Sequence, residues 1–569
     1  MRKSILFLVV GALALTGCAN IPQASRVHID DTIATAPDTQ LFRVIARPPA
    51  LKASPEELMK SFFEACADSS NGYAIARQYL LPTMAESWNP DAGIAVFDET
   101  KVSVAREGGG VIVTAQLIRS MNESGHLEMA EPSSQLQEWF GLAQNDEGEW
   151  RIKELRDGVL LTQSDALRTF RGYPVYFLDR KLKTLIPDSI LVAQGNAGAA
   201  TKLMKTLLLG PRSMLSSVQT SAIPADTSLT FGSVPIVNGV AKVDLTSVVL
   251  GASVKARKAL AAQIVSTLTS LPSVNRVRIT VSGQQLSAPG FPAEISSADL
   301  VEFSPLEAAQ ANVLNVVVGT SGVNVEPADG ERKVWKLGRK DETSIGQVAN
   351  SLSGREIAAV SGDAKKLYVA NENSRTLTLI ARGESLSRPA WDSSKRVYVA
   401  DYGRGISRYS LNGNSRKVGV SANNLGDQSQ IRKIAIAPDG VQVALVFTFG
   451  SQDIIAAGML ETQSGLTQII GIHRIEQSID SVRDIAWQSE NNLVVLGQVG
   501  TAVDQLFTVS TADGFTDSKI IPIGVQHLAV DSKGIVVLSV VDGTNEYVIT
   551  KELGSWKKIA EGQSPFFTR

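Results

Sequence analysis

The chain reads as a multidomain protein: two α+β domains, over 48–168 and 170–290, followed by an all-β propeller of about six blades over 300–569. Three observations predict this. Within 48–168 the apolar periodicity switches from the helical 3.6 to the strand period of 2. Over 170–290 the order is strand, helix, strand pair, helix, strand. Beyond 300 helical periodicity nearly vanishes, and a unit of apolar strand, polar turn and apolar strand recurs at blade-sized intervals.

The bulk composition bounds these assignments. With 569 residues, 44% hydrophobic and 20% charged, the chain supplies several hydrophobic cores. The formal net charge is -2 and no basic stripe stands out, so nucleic acid is excluded as a partner class. The two cysteines are Cys18 and Cys66. The N-terminal motif uses Cys18, so Cys66 has no disulfide partner within the chain.

The first 17 residues read as a signal peptide. Arg2 and Lys3 precede an apolar run of 11 residues, Ile5 to Leu15, too short to span a bilayer. Leu15-Thr16-Gly17-Cys18 then looks like a bacterial lipobox. Small Thr16 and Gly17 let a peptidase reach the Gly17–Cys18 bond, and the Cys18 thiol accepts a diacylglycerol. Two or more acyl chains give stable anchoring. Residues 18–47, rich in Ala, Pro, Asp and Thr, read as a flexible tether.

In 48–168, Ser54-Pro55-Glu56-Glu57 is a capping box with proline at the first helical position. Leu58, Phe62 and Cys66 follow on one helical face, which predicts a buried Cys66. A second helix is expected from Tyr73 to Leu81, stopped by Pro82. Val102, Val104, Val111, Val113 and Ala115 then alternate around Gly108-Gly109-Gly110. Those glycines join two strands and open no helix, so they form a hairpin turn and not a phosphate loop. Two helices ahead of a curved antiparallel sheet suggest an NTF2-like domain.

In 170–290, Tyr173–Leu178 is the first strand. The helix near Ala199–Leu209 is stopped by Gly210-Pro211, and Asn238-Gly239 is a hairpin turn. Ser253 caps a second helix whose stripe is Leu260, Ile264, Leu268 and Leu271. Asp244 is expected to face solvent or cap the turn before the next helix. Tyr176-Phe177, Leu207-Leu208-Leu209-Gly210-Pro211, Ser221-Ala222-Ile223-Pro224, Gly239 to Leu245 and Ile264 to Leu268 resemble, in order and spacing, the GerMN domain of sporulation lipoproteins. Such domains bind partners and carry no catalytic set.

The propeller units pair Ile357–Val360 with Leu367–Val369, Pro389–Trp391 with Val397–Val399, Ile434–Ile436 with Val443–Leu445, Ile485–Trp487 with Leu493–Val495, and Leu528–Val530 with Val536–Leu538. From Val360 the steps between matching residues are 31, 45, 51 and 43. The first step is short, which suggests an irregular blade. Segments 313–318, 333–337 and 564–567 are expected to complete the ring.

The whole order, from lipobox through α+β domain and GerMN domain to propeller, resembles the actinobacterial LpqB lipoprotein family. The resemblance implies S-diacylglycerol and N-palmitoyl groups on Cys18 and a place on the extracytoplasmic face of the cell membrane. It also implies a role modulating a two-component sensor histidine kinase, MtrB-like, through its extracellular domain, and with it cell-envelope and division homeostasis. A cell-wall glycan-binding or scaffold protein is the alternative.

The residues themselves point to binding and not catalysis. His28, His126, His473 and His527 stand in no metal-binding spacing, and no nucleotide loop occurs, so neither cofactor nor metal is expected. Blade hairpins would gather Arg375, Tyr402, Arg404 and Phe449, residue types that anchor interfaces. The second GerMN helix offers a rival surface in Lys255, Arg257 and Lys258. Replacing Cys18 with serine should move the protein from the membrane fraction to a soluble or unprocessed pool. A Cys18→Ser protein that stays processed and membrane-bound would refute lipidation.

Overall fold

The computed structural model describes residues 46–568 apart from 132, 195–197, 287–289, 304–312, 318–321, 326–332, 338–343, 352, 372, 375, 422–424, 426, 477 and 532. Gly17, Cys18 and Arg375 therefore lie outside the described residues.

The first domain is built on the helix Pro55–Cys66. Both halves of its capping box form: Glu57 N–H donates to Ser54 Oγ at 3.2 Å and Ser54 N–H to Glu57 Oε2 at 2.9 Å. Leu58, Met59, Phe62, Phe63 and Cys66 are buried on the face that meets the sheet. Phe62 and Phe63 pack edge-on against Phe140, and Trp88 joins the same cluster. The sheet runs 150–154, 135–144, 110–122, 93–97, 159–162, with 103–107 and 127–129 also paired to the long strand 110–122. Strand 159–162 lies parallel to 93–97.

The expected helix Tyr73–Leu81 does not form. A short turn at Ser70–Tyr73 and a 3-10 turn at Ala76–Tyr79 replace it. Within the expected span Tyr73 takes φ of 62°, a left-handed value that a helix forbids, and Leu80 is extended at φ -97° and ψ 153°, so only a short turn fits between them.

In the second domain, Phe170–Leu178 pairs antiparallel with Leu185–Ala193. Val240–Leu245 lies parallel to Arg276–Val281 in a separate small sheet. From Ala259 onward helix Val254–Thr269 is buried nearly all round, wedged between hairpin and sheet. Its two buried polar residues serve the hairpin. Gln263 Nε2 donates to Tyr176 O at 3.0 Å, and Tyr176 N–H donates to Thr267 Oγ1 at 2.9 Å, so the exposed side of strand 170–178 is satisfied by helix side chains. Asp244 caps the turn after 276–281, accepting from Thr280 Oγ1 at 2.5 Å and Gly283 N–H at 2.8 Å. The core continues past residue 290 through Ile295, Leu300 and Phe303.

The C-terminal region is propeller-like. Among the described residues it holds six four-stranded units. Five are consecutive in the chain, and in the sixth the strand 563–568 pairs with 313–317, followed by 322–325 and 333–337. The innermost strands 345–350, 390–391, 431–436, 481–487, 525–530 and 563–568 touch in a closed circuit. The short step is a register difference and not an irregular blade: Val360 lies on the second strand of its unit, 356–361, whereas Trp391, Ile436, Trp487 and Val530 lie on the innermost strands of theirs, and the innermost strand 345–350 carries the true equivalent.

A charged hub lies where the innermost strands converge. Four of them bulge at equivalent places, just before Gln347, Lys433, Asp484 and His527, and bulges re-aim side chains. Arg388 donates to three carbonyls from three different units: Val348 at 3.2 Å, Leu528 at 2.6 Å and Pro565 at 2.9 Å. Asp484 accepts from Leu528 N–H at 3.0 Å and lies 3.6 Å from Arg388. Burial alone would raise the Asp484 pKa. His527, Arg388 and Lys433 around it outweigh that and hold the carboxyl at about 2.

The three domains abut. Gly172 N–H donates to Asp513 at 3.0 Å, Arg119 to the Asp513 carbonyl at 2.5 Å, and Leu191 N–H to the Gly125 carbonyl at 2.8 Å. A Cβ at Gly172 would come 2.5 Å from the Ala512 Cβ, so only glycine allows this approach. Ile186, Leu215, Val218 and Met459 form a small apolar cluster across the same boundary.

Two predictions rest on these contacts. The buried Cys66 thiol, its pKa pushed up by burial, should react with a maleimide only after denaturant is added; rapid labelling of the folded protein would contradict its core position. The Asp484 carboxyl is depressed in the folded state, so its stabilisation is present above the unfolded pKa near 4 and is lost as pH falls toward 2. Asp484→Asn should therefore cost about 2 kcal/mol at pH 7, and denaturant melts of the variant should show a flatter acid limb than the parent. Equal stability at pH 7 would remove the hub from its structural role.

Candidate partner-binding face

Each four-stranded unit has two ends. Turns between its first and second strands and between its third and fourth lie at one end, and the hairpin between its second and third lies at the other. Over the neighbouring units 431–476 and 481–520 the first end is covered by the other two domains, while Ile535 and Leu553, in turns of the unit 525–561 at the same end, stand exposed. In the unit 481–520, Glu490 and Asn491 face Tyr176, Ala512 and Asp513 face Gly172, and Gly514 faces Arg119. The hairpins at 402–404, 450–451, 499–504 and 543–544 therefore project from the opposite end, turned away from the first two domains.

The hairpin of Tyr402 and Arg404 is tightly held. Tyr402 N–H donates to Ser385 O at 3.1 Å, Gly403 N–H to Ser429 O at 2.8 Å and Arg404 N–H to Asp401 O at 2.8 Å. The Asp401 carboxylate accepts from the backbone of Glu384 and Ser385 at 3.0 and 2.9 Å. Gly403 and Gly405 sit at φ of 86° and 77°, which turns the chain so sharply that Tyr402 stands out, 43% exposed. The Arg404 guanidinium lies 3.1 Å from Glu384 and 4.0 Å from Asp401. These exposed pairs contribute little stability, but they orient the arginine.

Phe449 differs from the expectation. It is half-buried and packs against the core cluster of Phe447, Ile431 and their neighbours. Its hairpin is two residues, Gly450-Ser451, too short to lift the ring off the sheet, so Phe449 supports the face more than it displays an anchor. The structure brings Tyr402 and Arg404 together and leaves Phe449 on a different unit. The pattern of loops did not single out Val503, 61% exposed, or Ile523, 90% exposed. Both stand on this same end, Ile523 in the connector that crosses it to the next innermost strand. An isolated apolar residue between polar neighbours is the only sequence signal they give.

The rival GerMN surface is less free than expected. Arg257 bonds the carbonyls of Ala252 and Leu250, each at 2.9 Å, and Lys258 pairs with Glu302 and lies over Phe291. Lys255 reaches the Lys181 carbonyl at 3.3 Å. Among the described residues no group of three or more His, Cys, Asp or Glu is placed to hold a metal ion.

With this geometry in hand, comparison with known proteins assigns each part. A family profile described as the N-terminal domain of lipoprotein LpqB matches residues 48–167. One described as sporulation and spore germination matches 174–287, and one described as the lipoprotein LpqB beta-propeller domain matches 316–567. Lipoprotein LpqB of Cutibacterium acnes is 29% identical over 99% of this chain and 98% of its own length. That of Streptomyces coelicolor is 24% identical over 99% and 97%. Among solved structures, TolB from Acinetobacter baumannii aligns with 72% of this chain and 90% of its own at 10% identity and a TM-score of 0.36. The propeller-like assignment rests on the strand pairing described above. Two LpqB-specific profiles flank the sporulation profile in chain order, and LpqB relatives align from end to end: the chain belongs to the LpqB family.

Proposed function

We propose that this protein is a lipid-anchored, extracytoplasmic regulator, not an enzyme, whose free hairpin face contacts the extracellular domain of a membrane sensor histidine kinase and modulates it. The first domain is read as NTF2-like and the C-terminal region as a six-bladed propeller. The closed circuit of innermost strands supports the blade count. Cys18 carries the lipid in this reading; among the described residues no helix is long and apolar enough to cross a membrane.

The observation that carries the proposal is the asymmetry of the propeller-like region. One end is covered by the other two domains over two of its units, and the other presents Tyr402 and Arg404 on a hairpin fixed by backbone bonds. Loops on a rigid scaffold are where binding sites concentrate. Ordering costs there are already met by the fold, so binding loses little entropy on association.

Truncating the anchors tests the reading. Tyr402→Ala with Arg404→Ala in the mature chain should weaken binding to the kinase's extracellular domain at least about tenfold, a step of ~1.4 kcal/mol. Its melting temperature should not move. Retained kinase affinity, or capture by purified cell wall in place of the kinase domain, would favour the glycan-binding alternative.

A further inference from the structure

A cavity of about 310 Å³ opens where all three domains meet, walled by His126 and Glu131 of the first domain, Asp188 and Arg212 of the second, and His473 and Arg474 of the propeller-like region. Pockets at domain boundaries are common places for small ligands. This one has an unusual balance of polar groups.

Arg212 and Asp188 neutralise each other. The guanidinium donates through Nε and Nη2 to both carboxylate oxygens at 2.9 and 2.8 Å. Arg474 has no such partner. Its side chain is 7% exposed, and its guanidinium forms no hydrogen bond among the described residues. Its ion-pair contact is the half-exposed Glu131 carboxylate at 3.8 Å, too far for a hydrogen bond. A buried guanidinium with unused N–H donors is costly unless something with acceptor oxygens meets it.

The two histidines complete the wall. His473 Nδ1 lies 3.0 Å from the Gly471 carbonyl, and His126 Nδ1 lies 3.4 Å from the Ser189 carbonyl. Burial lowers both imidazole pKa values, so at neutral pH each is uncharged. A proton on Nδ1 facing the carbonyl leaves each Nε2 as an acceptor. The cavity thus offers one cation, Arg474, whose donors make no hydrogen bond and whose ion partner Glu131 is distant, beside Glu128 and two uncharged imidazoles whose Nε2 atoms can accept a proton that a ligand oxyanion carries.

We propose that the three-domain junction is a binding site for a small molecule bearing an oxyanion, a carboxylate or a phosphate, with Arg474 as its principal donor. Glu131 is the competitor that the ligand displaces. Because three domains supply the walls, occupancy favours the arrangement in which they are joined, by the differential affinity that any such ligand has for the closed state.

Calorimetric titration of the full mature chain with inorganic phosphate and, separately, succinate, each to about 10 mM at fixed ionic strength, tests this in the millimolar range that a single buried ion contact supports. One probe should bind saturably at one site. Hydrogen exchange should then slow in 126–131, 187–189 and 471–475 together. Arg474→Met should weaken that binding at least tenfold without lowering the melting temperature of the free protein, and Glu131→Gln should tighten it. No saturable binding by either probe would overturn the proposal. So would Arg474→Met binding as well as the parent, or protection confined to other segments, which would identify an adventitious ion only.

Discussion

The contact on which the remainder of the structure depends is the Arg388–Asp484 hub. Sheets can only close a circuit if their innermost strands meet, and there the strand ends carry carbonyls and amides with no ladder partner. Arg388 satisfies carbonyls from three units, and Asp484 takes the Leu528 amide. Either charge alone would be expensive to bury. Set against each other and bonded to backbone, they become a fastening that spans the circuit. An apolar plug could fill the same space but could not satisfy those backbone groups.

The ring in turn fixes the two ends of its sheets. The covered end is shaped closely: Gly172 lies against Ala512 with no room for a side chain, and Leu215 sits beside Gly471. Small residues on both sides let backbones approach, so the first two domains have one way to seat. That seating selects the hairpin end as the free surface. Which hairpins stay free is therefore a consequence of packing at the opposite end, and not of any property of the hairpins themselves.

Much of this was legible in the sequence where the signal is local. The capping box at Ser54, the buried stripe through Cys66, the GerMN segments and the recurring strand units each declare themselves within a few residues. Legibility failed where a nonlocal partner decides. The strand Leu185–Ala193 shows no alternation, because the second domain covers one side of its hairpin and the propeller-like region packs against the other. The helix expected from Tyr73 to Leu81 failed because Tyr73 is left-handed and Leu80 extended, conformations that the apolar spacing does not reveal. Phe449 looked like an anchor because burial depends on hairpin length as well as residue type. The junction cavity was invisible: His126 and His473 are 347 positions apart and share no motif.

The pairing of 563–568 with 313–317 has a further meaning for how the molecule is made. The two strands are separated by some 250 residues, and joining such a loop costs roughly 5 kcal/mol of chain entropy. A chain that folds from its N-terminus as it is made would hold five nearly finished units, with an open edge on 313–317, until the final strand emerged. Biogenesis would thus have a late, all-or-none step. The interval before it is when exposed strand edges invite misassociation, so the speed of the final pairing and chaperone cover set the yield of closed circuits.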